Sequence, residues 1–230
     1  MENTVELLGF YGSDEVIACS AWTSTSRELT EEKKQRIPAL ITHLWLNGHE
    51  TPFEKATVHF LVNCDIASHI HLLKHRMASI NAESARYKEL KEDKFYIPQD
   101  FWNTSNNIDS LINKHFSIDC DKSDSWASIL SSYTCLGNSL YHQCLEDLTP
   151  ILGRKRAKES ARFFKTYNSQ IQADVQFNMR SFANFLKLRN SDHAQVEIRD
   201  IARQMLDLVK SIEGNPFEQT IKLITKNGKQ

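Results

Sequence analysis

The sequence predicts an α+β protein, mostly helical, with a few strands spread apart along the chain. Three observations carry that expectation. Apolar residues recur at helical spacing over several long stretches, and two short stretches alternate between apolar and polar residues. Seven Gly and five Pro in 230 residues are too few for a turn-rich β sandwich. At 40% hydrophobic and 25% charged, the composition is that of an ordinary globular protein. A chain of this length can bury a sizeable core, so one domain over residues 1–230 is expected.

The elements follow in order. Leu29–Asn47 reads as helix, because Leu40, Leu44 and Leu46 recur at helical spacing and Gly48 is a natural stop. Ala56–Cys64 alternates, with Val58, Phe60 and Val62 on one face and His59 and Leu61 on the other, which is a strand. Asp65 is placed to cap a helix running to about Ala78. A long helical block spans Ser123–Leu148 and ends at Pro150, and another covers Ala157–Lys165. In Gln170–Phe177 the residues Ile171, Ala173, Val175 and Phe177 point inward, and Gln170, Gln172, Asp174 and Gln176 outward. Ser181–Leu188 and His193–Ile212 are helical, with Gly214 and Pro216 as stops.

Lys+Arg 28 against Asp+Glu 29 leaves a net charge of −1, so no global field draws the chain to a nucleic acid polymer or a membrane. Any anion site must be built locally. The five cysteines, Cys19, Cys64, Cys120, Cys135 and Cys144, are odd in number and form no C-x-x-C pair, which argues against a disulfide framework or a zinc knuckle. Met1 to Phe10 lacks the basic region and apolar stretch of a secretory leader, and no stretch approaches the ~18 apolar residues of a membrane span. The expected setting is a reducing cytoplasm.

There is no G-x-G-x-x-G, P-loop, H-E-x-x-H or G-x-S-x-G motif. His71 and His75 would share a helix face, beside His69, as two metal ligands do. No acid or cysteine stands at a suitable offset, so partly buried or interface histidines are the preferred reading and no metal is expected. Lys74 to Tyr87 places three cations, two serines, an asparagine and an aromatic within fourteen residues, the donor types that a phosphate or planar anion needs. By itself such a stretch is equally a solvated basic turn. Arg154 to Lys165 holds six cations against one acid, which as an exposed amphipathic helix would simply be a cationic face. Asn178 to Arg189 sets Asn and Arg at the ends of a helix whose Phe182, Phe185 and Leu186 look like core. Three separate clusters rich in Arg and Asn suggest a polyanionic ligand.

These residues carry a specific resemblance. Lys74-His75-Arg76, seven residues, then Ser84, resembles the Arg-His-Arg, seven residues, Ser signature of the flavin-dependent thymidylate synthases, the ThyX family. His49-Glu50-Thr51-Pro52-Phe53-Glu54 resembles the family's flavin-contacting loop. Asn178 to Arg189 resembles its asparagine/arginine segment, continued by Asp192-His193-Ala194-Gln195 and Glu197. Arg162 stands twenty-seven residues before Arg189, as the family pattern expects, and Phe95-Tyr96-Ile97-Pro98 also agrees. The similarity runs from about Ala21 to Ile212.

The resemblance implies a central mixed sheet in a homotetramer that holds FAD where subunits meet. By position, Thr51, Lys74, His75, Arg76, Asn178, Arg180 and Asn184 would contact FAD, with His49 beside the flavin. His71, Lys74, Glu83, Ser84, Arg86 and Arg162 would hold a pyrimidine nucleoside monophosphate, largely through its phosphate. Arg189 would bind the pyrimidine edge and favour the N3-deprotonated form, which activates C5; Arg189, Ser84 and His49 are the catalytic set. Methylenetetrahydrofolate would supply the carbon, reduced flavin the hydride, and NADPH would recharge the flavin. The chemistry is consistent: a fixed guanidinium stabilises charge where it develops, and a cofactor that carries hydride needs placement rather than a cysteine nucleophile. Of the five cysteines, Cys64 alone lies in the matched segments, which argues against the cysteine-dependent thymidylate synthases.

The departures are as specific. The first signature Arg is Lys74, the Gln three before it is His71, and the Glu two before the Ser is Ala82, with Glu83 one place along. The Leu-Pro pair after Arg162 is Lys165-Thr166, and an Ala-Arg-Val-Ser pattern reads Ala21-Trp22-Thr23-Ser24. Arg to Lys forfeits bidentate geometry, and Glu to Ala deletes an acceptor. The expected activity is C5 methylation, dUMP to dTMP by family default. The alternatives are dCMP or UMP as substrate, a hydroxymethyl product, or a non-catalytic nucleotide- and flavin-binding assembly partner. Retention of Ser84, Arg189, Asn178 and His49 favours an enzyme.

Overall fold

The computed structural model describes residues 1–99, 102 and 125–227. The chain divides into two compact units. The first comprises Met1–Glu2, Asp65–Ala67 and Glu83–Ile171; the second comprises Asn3–Cys64, Ser68–Ala82 and Gln172–Gln230. No described helix is long and apolar enough to cross a membrane.

The second unit is built on a four-stranded sheet in the order β1-β2-β4-β3, where β1 is Thr4–Tyr11, β2 Thr57–Asp65, β3 Ser79–Ala82 and β4 Gln170–Asn178. β1 and β2 pair antiparallel, with Val5 opposite Val62 and Tyr11 opposite Thr57. β3 and β4 also pair antiparallel, with Ser79 opposite Gln176. Across β2 and β4, His59 Nε2 lies 2.6 Å from Asp174 Oδ1 while the Met179 N–H donates to the Ala56 carbonyl at 2.9 Å. Residue numbers therefore fall on one strand as they rise on the other. The mixed sheet that the resemblance implied is antiparallel instead: all its neighbours run in opposite directions.

Alternation places the core. On β2, Val58, Phe60, Val62 and Cys64 are buried, and on β4 Ala173, Val175 and Phe177 are, as the sequence predicts. The helices of this unit are α1 (Asp14–Trp22), α2 (Glu31–Leu46), most of α3 (Ile66–Leu73), α6 (Met179–Arg189), α7 (Val196–Lys210) and α8 (Glu218–Asn227). α7 buries Ile198, Ile201, Ala202, Met205, Leu206 and Val209, one continuous helical stripe, and packs on β1. α6 begins at Asn178, whose Oδ1 accepts from the Ser181 N–H at 2.8 Å, and buries Phe182 and Phe185 against Phe177. Asp14, at the start of α1, accepts from the N–H groups of Gln219 (2.7 Å) and Thr220 (3.2 Å), and so supplies the cap of α8 from across the unit.

The first unit is organised by α4 (Trp126–Leu152) and α5 (Arg154–Ala161), followed by a 3₁₀ turn, Arg162–Phe164. Tyr141, Leu145, Ala157 and Ala161 form its small buried core. Gly137 lies so close to this turn that a Cβ there would stand 2.7 Å from the Phe164 carbonyl oxygen.

Several boundaries differ from expectation. The expected start of the long block at Ser123 lies outside the described residues, as does Cys120; the described helix is capped by Ser125 Oγ, which accepts from the Ser128 N–H. It runs through Pro150, which forfeits one internal donor, and ends at Gly153, whose φ of 77° no longer continues a helix. The predicted Ala157–Lys165 helix starts earlier, at Arg154, and tightens into the 3₁₀ turn after Ala161. α7 begins at Val196 rather than His193, because Gln195 is extended. α3 stops at Leu73, not near Ala78: the His75 N–H returns to Leu72 O and the Ala78 N–H to His75 O, turns that feed the chain into β3.

Candidate active site

In the second unit, α2 ends at Leu46 and Gly48 (φ 69°) then swings the chain into the His49–Glu54 loop and the 3₁₀ turn Thr51–Lys55. His49 stacks on His43, ring centroids 6.2 Å apart, and Thr51 is exposed ahead of Pro52. From this loop Glu50 and Glu54 both reach the Arg180 guanidinium, each at 2.6 Å, and strengthen its hold on its proton. Arg180 stands in the first turn of α6, one helical turn before Asn184. Asn178, Arg180 and Asn184 line one cavity of about 840 Å³, with Lys187, Trp45 and Met77 among its other walls.

A lining that combines amide and cationic donors with aromatic and thioether surface suits a ligand with both anionic and flat apolar parts. That donor set fits FAD. The Asn178 oxygen is already spent as the α6 cap, which leaves its amide N–H groups as donors toward a ligand. Of the expected flavin set, Asn178, Arg180 and Asn184 share this cavity; Lys74 and Arg76 are exposed on the turn after α3.

His75 is oriented otherwise. Its Nε2 accepts from the Arg189 Nε–H at 3.0 Å, and its ring stands edge-on to Phe185 with centroids 4.9 Å apart. Burial, then the charge of Arg189, then His71, lower its pKa to about 4. His71 Nε2 lies 3.0 Å from Gln195 Oε1, and Gln195 Nε2 donates to Glu197 Oε2 at 2.8 Å. His69 is buried with Nδ1 unpartnered, and burial lowers its pKa. Among the described residues, no three His, Cys, Asp or Glu side chains come together as metal ligands would.

The first unit holds the rest. Ser84 Oγ accepts from the Arg86 N–H at 3.4 Å. Arg86 Nε donates to Glu159 Oε1 at 2.8 Å, Arg156 takes the other oxygen at 3.3 Å, and the Glu159 carboxyl is held below its ordinary range by these two arginines. Glu83 pairs with Lys88, and Lys158 Nζ donates to the Tyr87 carbonyl at 2.6 Å. Arg162 is exposed, its guanidinium 5.9 Å from the Phe163 ring centroid. Lys165 is buried against Asp93 and Asn138, 4.5 Å over the Tyr141 ring. Ser84, Arg86, Arg162 and Glu83 thus belong to one unit and the flavin set and Arg189 to the other.

Sequence reasoning gave no role to Glu50, Glu54, Lys187, Gln195 or Glu197. The first two stood inside the loop already singled out, at the i, i+4 spacing that lets both reach one cation. Lys187 carried no such signal.

Residues 6–213 match the family described as thymidylate synthase complementing protein. A flavin-dependent thymidylate synthase of Pseudothermotoga lettingae is 30% identical over 218 residues, which cover 95% of this chain and 90% of that protein. Another, from Thermosipho africanus, is 31% identical over 228 residues, covering 96% of this chain and 92% of that protein. Among solved structures, a UMP/dUMP methylase, PolB, from Streptomyces cacaoi bound with 5-Br dUMP superposes with a TM-score of 0.74 at 25% identity, covering 98% of this chain and 95% of that one. The family expected from Lys74-His75-Arg76 to Ser84 is therefore borne out over nearly the whole length, and the chain belongs to the thymidylate synthase complementing protein family.

Proposed function

We propose that this chain is a flavin-dependent enzyme that transfers a one-carbon unit from methylenetetrahydrofolate to C5 of a pyrimidine nucleoside monophosphate. It works as a cytoplasmic homotetramer whose catalytic domain covers residues 1–230. The observation that carries this reading is the single cavity lined by Asn178, Arg180 and Asn184, three residues of the expected flavin set, in a chain of this family.

When bound, the flavin in its reduced form would supply the hydride, and NADPH would restore that form. The work of the protein is binding and orientation. Asn178 and Asn184 donate to polar atoms of the cofactor, Arg180 meets its anionic part, and His49, Thr51, Lys74 and Arg76 complete the set. Ser84, Arg86 and Arg162 hold the nucleotide phosphate, for which guanidinium donors in a fixed fork are suited. Arg189 takes the O2/N3 edge of the ring. Negative charge gathers there as C5 becomes nucleophilic, and a preorganised cation stabilises it.

The family default for the nucleotide is dUMP. A second reading, UMP, is favoured by the His71, Lys74 and Ala82 departures and by the likeness to a UMP/dUMP methylase. Purification followed by a visible spectrum, light scattering and titration of dUMP, UMP, dCMP and CMP against flavin absorbance tests the proposal. Release of tritium from C5 with methylenetetrahydrofolate present then tests turnover. A yellow tetramer that binds and turns over one of the four supports it. A colourless protein that cannot be reconstituted with FAD defeats it, and a flavin- and nucleotide-binding protein without turnover is an assembly partner.

A further inference from the structure

Arg189 closes α6 and His75 sits in the turn after α3, both in the second unit. The Arg189 Nε–H donates to His75 Nε2 at 3.0 Å. A guanidinium has no acceptor, so Nε2 must offer a lone pair and the proton of the neutral ring sits on Nδ1. His75 is only 8% exposed and its ring lies edge-on to Phe185, at an interplanar angle of 77°, which limits its rotation. Protonating Nε2 would break the bond and set two cations face to face in a desolvated spot, which agrees with a pKa lowered to about 4 by burial, Arg189 and His71.

Other arginines of the candidate sites are anchored differently. Arg180 is held by the carboxylates of Glu50 and Glu54, and Arg86 by that of Glu159. Among the described residues Arg189 is in no ion pair; its anchor is the uncharged imidazole.

We propose that His75 is a positioning residue for Arg189, a neutral acceptor that fixes the guanidinium through Nε and leaves both terminal nitrogens, with the full positive charge, for the pyrimidine edge. The inference rests on the reading of Arg189 as the pyrimidine-binding residue and deepens it in two respects. With Nε engaged, a two-point contact to O2 and N3 is made end-on, through Nη1 and Nη2. A carboxylate in the place of His75 would anchor the group equally well but would cancel the charge that the developing anion needs. The resemblance placed His75 on the flavin, so the two assignments differ in which ligand suffers when the imidazole is removed.

The test uses holoenzyme. His75→Phe keeps a ring against Phe185 and removes the acceptor; His75→Gln keeps an acceptor oxygen. The expected result for His75→Phe is wild-type flavin content with affinity for dUMP and UMP weakened roughly ten- to a hundredfold. His75→Gln recovers part of that loss. The double variant with Arg189→Ala binds no more weakly than Arg189→Ala alone, because both changes remove one device. Flavin lost with nucleotide affinity intact, or losses that multiply in the double variant, would overturn the proposal. Nitrogen-15 resonances of the wild-type histidines give a readout free of ligand: a ring protonated at Nδ1 and unchanged between about pH 6 and 8 is expected, and one protonated at Nε2 or charged in that range refutes the clamp. Should His75→Phe fail to fold, His75→Gln and the tautomer decide. A wild-type protein that binds none of the nucleotides defeats the reading of Arg189, and the tautomer still decides the clamp.

Discussion

The Lys165 Nζ stands 2.6 Å from Asp93 Oδ1 with its side chain only 5% exposed, where the family pattern places the apolar Leu-Pro pair. Asn138 Oδ1 accepts a second bond from it at 2.9 Å, and His142 Nε2 approaches the other Asp93 oxygen at 2.9 Å. Two of the three protons of a buried ammonium thus have oxygen acceptors, and the Tyr141 ring lies 4.5 Å from the nitrogen. Breaking such a pair strands a desolvated charge, so Asp93→Ala should destabilise by about 1–3 kcal/mol, less than a fully buried pair because the carboxylate is partly solvated. Chemical denaturation of the two proteins checks this.

The same carboxylate sets a pH dependence. Burial pushes the Asp93 carboxyl up, but Lys165 and His142 outweigh burial and hold it below the ordinary carboxylate range. A depressed folded value means the contribution is fully present above the unfolded value of about 3.9 and is lost as pH falls through the lower folded one. The stability difference between wild type and Asp93→Asn should therefore be constant near neutrality and shrink in acid. A difference that grows on acidification would refute the assignment.

Arg189→Ala should abolish turnover and leave flavin bound. A preorganised donor of this kind contributes about 2.7–4 kcal/mol in the transition state. More than about a tenth of wild-type turnover with any accepted nucleotide would remove Arg189 from its proposed role.

Substrate choice can be moved. With the proposed phosphate ligands Arg86 and Arg162 kept and Gln, Arg and Glu of the family pattern replaced by His71, Lys74 and Ala82, phosphate binding should persist while base or sugar preference differs from dUMP. Restoring Gln at 71, Arg at 74 and Glu at 82 together should shift the preference toward dUMP, read as the ratio of kcat/KM values. No movement would put the determinants elsewhere, with Trp22 and Lys165 next to test.

Asp14 caps a helix more than two hundred residues away in sequence, through bonds to Gln219 and Thr220. Asp14→Ala removes all of them and should cost about 1–3 kcal/mol, whereas Asp14→Asn, which keeps one acceptor oxygen, should cost less. Melting temperatures rank the three proteins.

Period-two burial was legible for β2 and β4, because their inward residues are uniformly apolar and their outward ones mostly polar. β1 was not. Its Leu8, Phe10 and Tyr11 are exposed, so apolar residues occupy both faces and the alternation disappears. β3 is four residues long and carries no pattern of its own; pairing with β4 defines it. At the site, residue types and spacings pointed to the donors of Asn178, Arg180 and Asn184. They could not reveal that His75 turns to Arg189, since that contact spans 114 positions and depends on α3 ending early.

The close approach of Gly137 to the Phe164 carbonyl makes one hydrogen atom on α4 the gauge for where Arg162 begins its turn. A side chain at 137 would force α4 and that turn apart, and Arg162 is the first residue of the turn. Gly137→Ala is thus a way to disturb the guanidinium proposed to bind phosphate without touching it.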